Sequence, residues 1–512
     1  MSKVVGIDLG TTYSAIAYLN EYGKAEIIVN REGENITPSV VLFDGDMPPI
    51  VGTMAKAEAV RNTLNVVQFV KRQMGERDWK FLSEGGVEYT PEEISAIILK
   101  RLKEDAEAAL GEEVCDVVIT VPAYFNDAQR NATRDAGRIA GLNVLHIINE
   151  PTAAALAYGI EKSQQDQTIL VYDLGGGTFD VTIMRISQGN IKVLATGGDK
   201  NLGGFDWDNE IMKFLNTEFQ KQGGVDLRDD PATEQDLRNK AEIAKKALSL
   251  NEKTNVHFSA GGKSLAIPLT REQFNSLTDA LFYRTRSLME MVLEDAGLSS
   301  WDLIDKTLLV GGSTRMKAVV ALVEEVTGKK PSIELHPDEV VALGAALSAA
   351  FLAVERKIAD PKILVGIPPV KISDVNSHSM GIISVEPENF NRRVNSIILK
   401  KDTPIPCRVS DTFITLEDRQ SSLHVEVTQG EDTNPAYVTI VGETTMNLPP
   451  YPKNAPLEVF FAYDEDEIVH VTVFDLTARR FLEGEVRIDR KANLKESEVT
   501  ALQRKVSGLT IG

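Results

Sequence analysis

One turn occurs twice in this chain. Residues 4–20 read VVGIDLGTTYSAIAYLN, and far downstream residues 169–184 read ILVYDLGGGTFDVTIM. In each, an apolar strand ends in Asp-Leu-Gly, passes through Gly and Thr, and resumes the alternation of a second strand. That is a β-hairpin, not the strand–loop–helix of a P-loop. Consecutive Gly and Thr amides in such a turn can form an anion-binding concavity. Asp8 and Asp173, at the strand ends, suit a divalent cation and its waters. A lone turn of this kind is most often only a tight hairpin. Two of them point to a duplicated α/β unit whose halves grip a polyphosphate from both sides of a cleft.

The rest of the chain agrees with such a unit and adds a second one. At 512 residues the chain exceeds one ordinary core. Residues 115–122 (CDVVITVP) and 306–315 (KTLLVGGSTR) read as strands buried on both faces. Residues 90–111 carry apolar spacing near 3.6, early acids and a final glycine, which predicts an amphipathic helix. The apolar run 340–354 follows Pro337, Asp338 and Glu339. It falls short of the ~20 residues a membrane helix needs and is rich in Ala and Gly, so it predicts a closely packed core helix. Residues 1–357 are therefore expected to form an α/β nucleotide-binding domain. Residues 358–373, with Pro361, Pro368 and Pro369, form a linker that should hold no regular element through its prolines. Between 374 and 490 short alternating runs predict an antiparallel β-sandwich. Residues 491–512 form a short helical tail, opened by Asn493 and Glu496 in capping-box spacing.

Charge narrows the partners. The formal net charge of −20 repels nucleic acid and anionic membrane, so neither is expected as a partner. Cys115 and Cys407 are the only cysteines, which excludes a disulfide framework and fits a reducing, cytoplasmic setting. In the 306–315 turn, bare glycine backbone lets a flat ring approach. Glu242, Lys245 and Ser249 share one helical face, which alone would more often be a solvated charged surface.

The segments IDLGTTYS, VYDLGGGTFDV and LLVGGSTR, with VITVPAYFNDAQRNATRDAGRIAGLNV and NEPTAAALAYG, together resemble the seventy-kilodalton heat-shock chaperone family, the DnaK type. The resemblance runs from Val4 to about Asp489. It implies an actin-like ATPase domain of two duplicated lobes, followed by an all-β antiparallel sandwich that binds extended apolar peptide. Its implied cofactors are ATP or ADP and Mg²⁺. It assigns Gly10, Thr11, Thr12 and Tyr13, and Gly175, Gly176, Gly177 and Thr178, to two phosphate loops, with Asp8 and Asp173 near the metal. Lys71 matches the catalytic lysine, Glu150 a carboxylate that organises metal waters, and Thr178 a hydroxyl near the γ-phosphate. The adenosine side would use Glu242, Lys245, Ser249, Gly312, Ser313, Arg315 and Asp338. Pro122 and Arg130 match a pair that relays nucleotide state. Ile382, Val385, Phe413, Leu416, Leu423 and Val425 would line the peptide channel, although period-2 apolar residues alone are usually sandwich core.

The implied function is that of an ATP-hydrolysing chaperone in the stress response and in protein folding. Its clients would be unfolded polypeptides, and a J-domain co-chaperone and a nucleotide exchange factor are further expected partners. The alternative is an ATP-binding holdase or co-chaperone with little turnover; a sugar kinase on the shared fold is disfavoured by the sandwich and by Lys71. Four departures stand out, one being a shortened segment after Gly75 together with Glu467 in place of the glycine of the family's D-x-D-G-I turn. Lys371 and Ser373 interrupt the usual apolar linker, although KILVGI (residues 362–367) could replace it. The long helical lid of the family is not expected within residues 1–512. His146 stands where many members carry an arginine that meets J-domain partners.

Overall fold

The computed structural model describes residues 3–45, 47–162, 166–332, 336–386, 389–464, 469–483 and 493–512. Residues 491 and 492 of the expected tail, and Glu467, thus lie outside the described residues. The chain divides into two compact units. Met1–Tyr124, Ala132–Lys371 and Glu496–Gly512 form the first; Phe125–Asn131 and Ile372–Lys495 form the second.

The first unit repeats one sheet plan. In its first sheet the strand Lys3–Asp8 pairs in parallel with Val114–Val121, which pairs in parallel with Asn143–Asn149; on its other edge it pairs antiparallel with Tyr13–Leu19. In its second sheet Gln167–Leu174 pairs in parallel with Lys306–Val310 and antiparallel with Phe179–Ser187, which leads on to Asn190–Asp199. The two Asp-Leu-Gly turns therefore occupy equivalent places, each joining the central strand to its antiparallel neighbour. Both hairpins have the regular register that the sequence alternation demands, with Asp8 opposite Ala15 and Asp173 opposite Asp180.

Two helices pack on the first of these sheets. Pro91–Leu110 begins at Thr90, whose side chain accepts from the Glu93 N–H, and ends at Gly111 in the left-handed region at φ 67. Both caps follow the sequence signals. The run at 340–354 is indeed a buried helix, Val340–Glu355. Its glycine lets it press on the helix Glu150–Lys162: a Cβ on Gly344 would stand 1.8 Å from the Ala153 carbonyl oxygen. No described helix is long and apolar enough to cross a membrane.

The linker holds two short regular elements after all, a 3₁₀ turn and the short strand Lys371–Ser373. Pro361–Leu364 forms a 3₁₀ turn, with the Asp360 side chain accepting from the Lys362 N–H. Proline is tolerated there because it opens the turn, where its missing N–H costs nothing. The Ile367 side chain then packs near Gly23, and the Lys371 N–H donates to the Gly189 carbonyl at 2.9 Å.

The tail helix runs Glu496–Ser507. Asn493 is not its cap: it stands ahead of the first turn, and its amide donates to the Ala128 carbonyl at 2.7 Å.

The second unit contains two four-stranded antiparallel sheets. One orders its strands Asn389–Leu399, Met380–Glu386, Gln420–Gln429, Thr439–Tyr451; the other orders them Cys407–Ile414, Pro456–Tyr463, Val469–Asp475, Arg480–Phe481. Phe461, Val471, Val473 and Val427 fill the core between them.

Candidate nucleotide site

The two glycine turns meet face to face in the first unit. A Cβ on Gly176 would stand 2.4 Å from the Thr12 side chain, and one on Gly177 would stand 2.5 Å from Thr11. The first turn thus leaves no space for a side chain at either position of the second, which is the physical reason Gly176 and Gly177 are both glycine, whereas a Cβ on Gly175 would meet nothing closer than 3.7 Å. Beside them opens a cavity of about 900 Å³. Its lining brings together Asp8, Gly10, Thr11, Thr12, Tyr13, Lys71, Glu150, Asp173, Gly175, Gly176 and Thr178. The residues expected on the adenosine side, Glu242, Lys245, Ser249, Gly312, Ser313, Arg315 and Asp338, line the same cavity. Gly177 does not; it packs beneath the turn against Thr11 and Gly203.

Charge is concentrated at the cavity floor. Lys71 is buried, and its Nζ lies 2.5 Å from Glu150 Oε1. It rides on the 3₁₀ turn Val70–Gln73, entered through Phe69 at φ 59. A left-handed phenylalanine costs about 1–3 kcal/mol, which the surrounding packing must offset to aim Lys71 inward. Asp8 accepts a hydrogen bond from the Thr120 hydroxyl at 3.1 Å. Burial, then Glu150, pushes the Asp8 carboxyl up, against the pull of Lys71. Burial, then Glu150, Asp180 and Asp8, pushes Asp173 up as well. Two buried carboxylates, Glu150 and Asp173, and the partly buried Asp8 around one ammonium leave a deficit of positive charge, so the donor set fits a hard divalent cation.

At the other end, charge links the two sides of the mouth. Lys56 Nζ lies 2.8 Å from Glu242 Oε2, and Lys246 pairs with the same carboxylate at 2.7 Å. Burial raises the Glu242 carboxyl, but Lys56 and Lys246 outweigh it and hold it down at about 2. Lys245 turns instead to Asp208 and the Gly204 carbonyl, each at 2.8 Å. The Arg315 guanidinium holds Asp338 at 2.5 Å, and the Ser313 hydroxyl donates to the Gly175 carbonyl at 2.8 Å. Lys56, Lys246 and Asp208 escaped the sequence reading. Nothing near Lys56 or Lys246 marks them; for Asp208 only its place just after the Gly203-Gly204 pair could have done so.

The remaining expected residues fall outside the cavity. Pro122 is buried at the end of the strand Val114–Val121 in the first unit, and Arg130 Nε donates to the Phe125 carbonyl at 3.2 Å in the second. In the sandwich, Ile382 and Val425 are buried in the core, while Phe413 and Leu423 pack half-buried against it. Val385 is half-buried, and Leu416, in the loop after Cys407–Ile414, is exposed. Phe413 belongs to the opposite sheet from Ile382, Val385, Leu423 and Val425.

A family profile described as Hsp70 protein matches residues 4–509, nearly the whole chain. With its duplicated sheets, its paired glycine turns over a charged cavity and its antiparallel sandwich, the chain belongs to the Hsp70 family of ATP-dependent chaperones.

Proposed function

We propose that the cavity of the first unit binds ATP with Mg²⁺ and hydrolyses it, and that the sandwich binds extended apolar segments of unfolded polypeptides whose release follows the nucleotide state. The meeting of the two turns at Thr11, Thr12, Gly176 and Gly177 carries this reading, because it places two sets of backbone amides about one polyphosphate-sized space. Asp8 and Asp173 would hold the metal through its waters, and its charge would neutralise the phosphate oxygens. Lys71 would orient the attacking water and meet the charge that grows on the transferred phosphoryl group. Glu150 fixes the Lys71 ammonium and can accept a proton from that water. Thr178 would donate its hydroxyl to the terminal phosphate. Glu242, Ser249, Arg315 and Asp338 would hold the adenosine end.

For the sandwich, the supporting observation is a strand pattern whose inward residues make the core while Leu416 stays exposed. Extended peptide would pair its main chain with a loop or strand edge and place alternate side chains in a pocket. The interrupted linker at Lys371 and Ser373 sets the size of the nucleotide effect. Each polar group buried unpaired costs about 1–3 kcal/mol, similar to a typical coupling energy.

Peptide release from the full chain, measured with ATP, with ADP and with neither, tests this function. ATP should speed release relative to ADP, by less than about a hundredfold, or 2.7 kcal/mol. Equal rates in all three would contradict a nucleotide-controlled chaperone.

A further inference from the structure

The last residues of the described chain occupy a groove on the first unit, and their bonds converge on the segment that carries Lys56. The helix Glu496–Ser507 lies on Pro91–Leu110 and buries Val499 and Val506. Lys505 pairs with Glu93 at 2.6 Å and stands 4.7 Å from the Tyr89 ring centre. At the end of the tail helix, Lys100 Nζ donates to the carbonyls of Val506, Ser507 and Leu509 at 2.9, 3.2 and 2.5 Å. An ammonium there satisfies orphan carbonyls and meets the negative end of the helix dipole.

Beyond the helix the chain joins a sheet edge. Ile511 is 2% exposed, and its carbonyl accepts from Arg31 Nη1 at 3.1 Å. Gly512 donates its N–H to the Pro49 carbonyl at 2.9 Å and accepts from the Val51 N–H at 3.3 Å. Ile50–Val51 is the edge strand of a three-stranded sheet, and Gly512 alone pairs with that edge through these two backbone bonds. Arg101, buried, ties the two sides together: its Nη1 donates to the Val51 carbonyl at 3.0 Å and to the Gly512 carbonyl at 2.7 Å. From Val51 the chain passes through Gly52 into the helix Thr53–Glu58. That helix carries Lys56, paired with Glu242 and bonded to the Tyr13 hydroxyl at 3.1 Å, at the mouth of the cavity.

We propose that residues 496–512 form a strap, docked in cis on Pro91–Leu110 and the Ile50–Val51 edge, that holds Lys56 against Glu242 and slows the escape of bound nucleotide. Its groove is an interaction surface for an extended segment with an apolar anchor at Ile511, gripped by Arg31, Lys100 and Arg101. Ile511 and Lys100 are positioning residues here, since neither lines the nucleotide cavity.

Because this role rests on the cavity holding nucleotide, the test measures binding and release separately. Fluorescent ADP is released in a stopped-flow instrument from the full chain, from Ile511→Asp, from Lys100→Met and from a chain ended after Ser507. Each variant should release ADP about tenfold faster, equal to about 1.4 kcal/mol, with little change in the association rate. A synthetic peptide of residues 496–512, added in trans, should slow release from the shortened chain. Thermal unfolding of each variant runs in parallel, with release read well below the transition. Lowered unfolding temperatures with unchanged release would show a purely structural tail and overturn the strap. Failure of the wild-type chain to bind ADP would overturn the proposed nucleotide site itself, and the strap with it.

Discussion

Lys71 Nζ and Glu150 Oε1 stand 2.5 Å apart in a buried pair, 79 residues apart in sequence, in the lining of the cavity of the first unit. Neither partner is cheap to lose. Removing one member of a buried ion pair costs about 3–5 kcal/mol because the other is left uncompensated. The pair therefore holds Lys71 in one orientation before any nucleotide arrives, and the left-handed Phe69 that opens its turn shows that backbone strain is spent on that placement.

Lys71→Ala should slow single-turnover ATP hydrolysis by about a hundredfold or more, since a preorganised charge at the transition state is worth that much. Nucleotide affinity should change little, because the contact strengthens mainly as charge shifts. The nucleotide-free variant should also unfold more easily, as Glu150 loses its partner. Lys71→Arg restores that partner and separates the two effects. Wild-type turnover in Lys71→Ala would remove the lysine from the mechanism.

Gly176→Ala should weaken nucleotide binding, as its Cβ would stand 2.4 Å from the Thr12 side chain. Overpacking of this kind costs about 1–3 kcal/mol, or roughly ten- to a hundredfold in affinity. Adding Thr12→Gly removes the clashing atoms, so calorimetry should show part of the affinity restored. If Gly176→Ala binds like wild type, the two turns do not confront each other as described.

The ion pairs at the cavity mouth predict a pH dependence. Glu242 has a folded value held down to about 2 from an ordinary 4.5. The unfolded chain therefore takes up the proton first, and the stability this group supplies is full above pH 4.5 and drains away as pH falls toward 2. Glu242→Gln should be less stable than wild type by about 2 kcal/mol near neutrality, after allowing for its part exposure. That difference should shrink through the acid window. Denaturant unfolding at several pH values checks it; a difference that stays constant down to the acid end would contradict the assignment.

Local pattern and long-range pairing differ in how well they show in the sequence. The two hairpins, the capped helix Pro91–Leu110 and the core helix Val340–Glu355 were legible because alternation, a 3.6 period and cap residues act over a few positions. The Lys56–Glu242 pair joins residues 186 apart, and no local pattern announces it. The docked tail is hidden for the same reason, since Ile511 and Lys100 are unremarkable within their own segments. Asn493 shows a further limit: capping-box spacing is not sufficient, since the helix starts at Glu496 and the Asn493 amide donates to the Ala128 carbonyl instead. In the sandwich, period 2 cannot divide core from channel, and Ile382 and Val425 are buried within the hydrophobic cluster.

Leu416 is the sharper probe of the peptide site. It is 39% exposed, whereas Leu423 packs against the core, so Leu416→Asp should leave the sandwich folded. Affinity for an extended apolar peptide, read by fluorescence anisotropy, should fall about tenfold, as burying a leucine is worth about 1.5–3 kcal/mol. Leu423→Asp should lower it further, at a cost in unfolding temperature. Unchanged affinity in both variants would place the peptide site elsewhere on the sandwich.

The cavity is expected to turn over ATP in the service of peptide binding. Steady-state ATPase activity of the full chain, with Mg²⁺ and with or without an apolar peptide, tests it most directly. Hydrolysis should require Mg²⁺, disappear in Lys71→Ala and rise when peptide is added. Tight ATP binding with no hydrolysis under any of these conditions would contradict the account and leave an ATP-bound holdase in its place.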